Sequence, residues 1–80
     1  MGRGDRQMQI HYDDRHDLLY FRFDPREQEL RNEDVADGVV LDLGDNDRIV
    51  GIEILDASKR LDIAALLPAQ FIRDGEATPA

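Results

Sequence analysis

The sequence predicts a mostly β fold of the α+β class, an antiparallel four-stranded meander finished by a short C-terminal helical segment. Three observations carry this. Four short runs are rich in β-branched and aromatic residues, turn-forming residues separate them, and one brief run near the end has a helical period.

Met8-Gln-Ile-His-Tyr12 alternates apolar and polar and reads as a half-buried strand. Leu18-Leu-Tyr-Phe-Arg-Phe23 is a second strand, ended by Pro25, which has no amide hydrogen for a ladder. Val39-Val-Leu-Asp-Leu43 and Ile49-Val-Gly-Ile-Glu-Ile-Leu55 are the third and fourth, with the turn residues Gly44-Asp-Asn-Asp47 between them. The polar stretch Arg26 to Gly38 has no steady period; it holds either a short fifth strand around Glu29 to Arg31 or a long connection. Asp62 is a predicted helix N-cap before Ile63-Ala-Ala-Leu-Leu67, and Asp56 to Arg60 is a turn or a single helical turn.

Parity sets the register. Pairing Tyr12 with Leu19 puts Ile10 opposite Phe21, and a hairpin tip at Asp45-Asn46 puts Leu41 opposite Val50 and Val39 opposite Ile52. The predicted core is then Met8, Ile10, Tyr12, Leu19, Phe21, Phe23, Val39, Leu41, Leu43, Val50, Ile52 and Ile54. One domain spans residues 8–72, between a loose N-terminus (1–7) and a loose tail (73–80).

Eighty residues allow one domain of marginal burial. The absence of cysteine excludes a disulfide framework and any Cys-based metal site. No apolar run is long enough for a membrane span, and the first residues lack a signal-peptide core. Ten basic against eighteen acidic residues give a net charge of −8, which argues against nucleic acid or an anionic membrane as partner. The acidity is central. Asn32 to Ser58 carries eight acids and one base, Arg48, whereas the segments on either side are close to neutral.

The second sheet face mixes apolar and charged side chains. Leu18, Tyr20, Arg22, Val40, Ile49, Glu53 and Leu55 there have the composition of a homodimer interface. The acids Asp42, Asp45, Asp47, Glu53 and Asp56 would face a basic protein partner. Their spacing does not fit an EF-hand, and turn chemistry accounts for Asp45 and Asp47. Glu53 would need Arg22 or His11 as a companion if that face is covered. Asp13 and Asp17 bracket the first hairpin and Ser58 caps a turn. No cofactor, metal or catalytic group is expected.

Tyr12-Asp13, Asp17-Leu-Leu-Tyr20, Asp37-Gly-Val-Val-Leu-Asp42 and Arg48-Ile-Val-Gly-Ile-Glu-Ile-Leu-Asp-Ala-Ser58 together resemble the small bacterial family called domain of unknown function 2283. The resemblance runs from about Met8 to Leu61; the Asp-Gly usual at the second hairpin tip is Asn46-Asp47 here. It implies a cytoplasmic single-domain β-meander and supplies no activity and no site residues. An encoded neighbour of toxin type in some relatives implies an antitoxin role. The expectation is therefore an acidic, non-enzymatic interaction module. The alternatives are a small enzyme or ligand-binding protein with a site near Tyr20, Arg22 and Glu53 at a dimer seam, and a purely structural domain.

Overall fold

The computed structural model describes residues 7–75, so both expected loose ends fall largely outside the described residues. Five strands form one antiparallel sheet: β1 (Gln9–Asp13), β2 (Leu18–Arg22), β3 (Arg31–Ala36), β4 (Val39–Leu43) and β5 (Ile49–Leu55). Their spatial order is β1-β2-β5-β4-β3. The fold is thus a β3-β4-β5 meander with the β1-β2 hairpin added to its β5 side, and the expected four-stranded meander is corrected on both counts. The polar connection does hold an extra strand, but at Arg31–Ala36 rather than around Glu29 to Arg31. It is an edge strand exposed along its whole length, which is why no apolar alternation announces it.

The first hairpin has the register that alternation predicts, Ile10 against Phe21 and Tyr12 against Leu19. The second differs by two residues: Leu41 lies against Ile52 and Val39 against Ile54. Two irregularities produce the difference. The tip is a three-residue 3-10 turn, Asp45–Asp47, in which Asn46 and Asp47 have φ of 56° and 59° and the Gly44 amide donates to the Arg48 carbonyl at 2.9 Å. A bulge then breaks the ladder between Asp42 and Leu43, where β5 passes from Gly51 to Ile49. An odd-length tip alone would turn the wrong face of β4 toward the core side. The bulge restores it.

The C-terminal helix is not formed. Ile63–Ala65 makes one 3-10 turn, and Asp62 supplies no side-chain cap, only its carbonyl to the Ala65 amide. Pro68 disfavours helical backbone at Leu67, and the remaining four residues, Ile63 to Leu66, are too few to sustain a helix. The described residues therefore contain strands and 3-10 turns and no α-helix.

The predicted core residues of the strands do share one face, yet that face is thinly covered. Leu19, Val50 and Ala57 are fully buried, while Met8, Tyr12 and Phe23 are exposed and Ile10, Phe21, Val39, Leu41, Leu43, Ile52 and Ile54 are half-buried. Among the described residues no α-helix or second sheet lies across it, and complete burial is confined to Leu19 and Val50.

Candidate functional site

The reverse face is organised in rows that cross every strand. One runs His11, Tyr20, Glu53, Val40, Asp34; the next runs Gln9, Arg22, Gly51, Asp42, Asn32. Gly51 has no side chain, and Tyr20 fills the space: a β-carbon there would stand 2.5 Å from its hydroxyl. The Tyr20 ring stacks on His11 with centroids 6.1 Å apart. Burial, and then the neighbouring Asp42 carboxylate, push the Tyr20 phenol upward. Asp42 is 5% exposed and accepts a 2.5 Å hydrogen bond from the Asn32 amide group.

Leu18, Tyr20, Arg22, Val40, Glu53 and Leu55 occupy this one face by register, and Ile49 sits at the bulge, half exposed. Arg22 donates to the main-chain carbonyls of Asp24 and Arg26 at 2.8 and 3.1 Å. His11 pairs with Gln9 at 3.2 Å. Glu53 therefore has neither expected companion. Its side chain makes no hydrogen bond or ion pair among the described residues, and the residue stays half-buried.

The proposed acidic set is spread out. Asp45 and Asp47 lie in the tip at one end of β5, with Asp47 paired to Arg31 at 2.9 Å. Asp56 lies at the other end, in left-handed backbone at φ 56°. At 3.3 Å per residue, β5 separates the two by roughly 20 Å. Asp42 is buried between them. Among the described residues no group of three or more His, Cys, Asp or Glu is placed to hold a metal ion, and no helix is long and apolar enough to cross a membrane.

Each end of the sheet is tied by an aspartate. Asp17, itself at φ 52°, accepts from the Tyr12 hydroxyl at 2.7 Å and from the amide and hydroxyl of Ser58 at 2.9 and 2.8 Å, while its carbonyl accepts from the Ala57 amide. The Tyr12 bond, followed by those from Ser58, holds the Asp17 carboxyl below its usual range and raises the Tyr12 phenol to about 12. Asp13 accepts from the Arg15 amide at 3.0 Å and from the His16 ring at 2.8 Å, closing the same turn. At the opposite end Asp24 is 6% exposed and binds Arg26 and Arg48; the Arg26 guanidinium above all keeps it well below the ordinary carboxylate range. Asp24 and Asn32 were invisible to sequence pattern. The available hint was an Asp before Pro25 with an arginine two residues on.

The outer side of β3 is a surface of different character. All six of its residues are exposed, Glu33 and Asp34 among them, Asp37 follows directly on the strand, and Asp47 of the tip reaches Arg31 at its start. Among the described residues no strand pairs with its outward backbone groups.

The sequence profile of the family described as Protein of unknown function (DUF2283) matches residues 9–58, from the first residue of β1 to the serine that bonds Asp17. A protein of Methanosarcina mazei named a putative hypoxanthine phosphoribosyltransferase is 40% identical over 53 residues, which is 66% of this chain and 42% of that protein. The chain thus spans less than half the length of this relative. No solved structure matches.

Proposed function

This chain belongs to the family of proteins of unknown function DUF2283, and on that footing we propose that it is an acidic interaction module that binds a basic protein along the β3 edge. One observation carries the reading: among the described residues no strand pairs with the outer edge of β3, and Glu33, Asp34 and the adjoining Asp37 are exposed there. Like charges on two such edges oppose self-pairing, so the same residues that guard against aggregation select a partner strand or loop rich in Lys and Arg. The bulge between Asp34 and Ala36 limits regular pairing to the Arg31–Asp34 half of the strand. In its most concrete form the partner is a small basic RNase-like toxin whose phosphate-binding surface these carboxylates occupy. A phosphoribosyltransferase reading, after the name of the Methanosarcina mazei relative, would call for free cationic side chains on this chain. Here Arg22, Arg26, Arg31, Arg48 and Arg60 are each bonded to carbonyls or carboxylates of the fold.

The test is affinity capture at low ionic strength with the native chain and with Glu33→Lys/Asp34→Lys. A basic protein retained by the native chain, released as salt screens the charges, and absent from the double variant supports the reading. Equal capture by both chains overturns it.

A further inference from the structure

We propose that two copies of this chain close their apolar sheet faces on each other, with the segment from Leu67 to Ile72 of each copy laid against its partner. This goes beyond the edge-strand reading and does not depend on it. Ile10, Phe21, Ile52 and Leu41 form an unbroken apolar row across four strands, and Tyr12, Leu19, Ile54 and Val39 form the next. Most of these are left half-buried, and Met8 and Phe23 at the rim are 46% and 40% exposed. In the same chain Leu67, Phe71 and Ile72 are 63%, 87% and 67% exposed. A face left half-exposed outside Leu19 and Val50, and an exposed apolar segment on the same polypeptide, are satisfied together by a second copy.

Charge points to the same occupant. The chain carries −8, yet register puts just two charged strand residues on this face, Arg31 and Glu33, of opposite sign. Self-repulsion is therefore directed elsewhere. Area explains the segment's part. Five strands about 4.8 Å apart and about five residues long present a face of roughly 400 Å², whereas a stable interface buries about 800 Å² on each partner. An aromatic side chain can bury ~150–250 Å², so Phe71 with Ile72 and Leu67 supplies most of the difference.

Sedimentation of the full chain, alone and as Phe71→Asp/Ile72→Asp, is the first measurement. Both residues are exposed in the single chain, so the variant retains its fold. The native chain should sediment as a dimer at micromolar concentration, and the variant should associate at least about tenfold more weakly. Because the chain has no cysteine, a spin label at Gln70→Cys on one copy, mixed with isotope-labelled native chain, reports where the segment lies. Line broadening of β1, β2 and β5 amides next to Ile10, Phe21 and Ile52 in the isotope-labelled copy is expected. A native monomer, a dimer indifferent to the double substitution, or broadening confined to residues flanking Tyr20 and Glu53 overturns the proposal.

Discussion

Gly51→Ala probes the tightest place in the sheet. The added carbon would stand 2.5 Å from the Tyr20 hydroxyl, 2.6 Å from the Phe21 carbonyl oxygen and 2.8 Å from a Tyr20 ring carbon. The phenol can swing aside. The Phe21 oxygen belongs to the β2 backbone and cannot, short of moving a strand that is paired on both sides. In an open strand the same change would stabilise by roughly 0.5–1 kcal/mol, because glycine loses more backbone entropy on folding. Overpacking costs about 1–3 kcal/mol, so the expected net loss is ~1–2 kcal/mol. In a domain of this size each kcal/mol lowers Tm by about 4–8 °C. Urea unfolding should show a lower midpoint with unchanged slope. Adding Tyr20→Ala to Gly51→Ala should give a non-additive cycle that recovers part of the loss, since the ring clash is removed and the carbonyl clash remains. A Gly51→Ala chain as stable as the native one would refute this account of how Tyr20 and Gly51 fit.

Other consequences are open to measurement. Leu19→Ala, at a fully buried site, should cost roughly 2–5 kcal/mol in urea titrations. The carboxyls of Asp17 and Asp24 are held below their unfolded value of about 3.9, so the stability they contribute is complete above that pH and is lost as pH falls through their lowered folded values. Thermal melts should therefore decline below about pH 4, and Asp17→Asn or Asp24→Asn should differ from the native chain at neutral pH and converge with it in acid. Tyr12 behaves in the opposite sense. Its phenol is raised to about 12, so its contribution is present below about pH 10 and disappears as pH rises through the folded value, which Tyr12→Phe should abolish in an alkaline spectrophotometric titration.

Legibility in the sequence followed the physics of each element. Period-two alternation settles the β1-β2 register because a one-residue slip would bring Ile10 and Phe21 onto opposite faces. It settles the faces of β4 and β5 too, but not their offset, because left-handed Asn46 and Asp47 and the bulge beside Gly51 are backbone features with no apolar signature. β3 carries Asn32, Glu33 and Asp34, poor strand formers whose pairing comes from β4 rather than from propensity. Apolar pattern also identifies which side chains share a face without saying whether anything covers it. For that reason Met8, Tyr12 and Phe23 were expected inside and lie outside. Of the candidate surfaces, the reverse face was readable by parity. The Asp24 clasp depends on Arg48, twenty-four residues away, and no local pattern anticipates it.

The paired irregularities in the β4-β5 hairpin have a consequence for how this chain can change length. Val50 is the extra residue of the bulge, so deleting it would leave Leu41 against Ile52 and straighten β5 while emptying a fully buried site. The tip lies beyond the Gly44–Arg48 closure and holds no buried residue, so a residue lost from Asp45–Asp47 disturbs neither register nor core. Variation in length should therefore collect at the tip and spare the bulge.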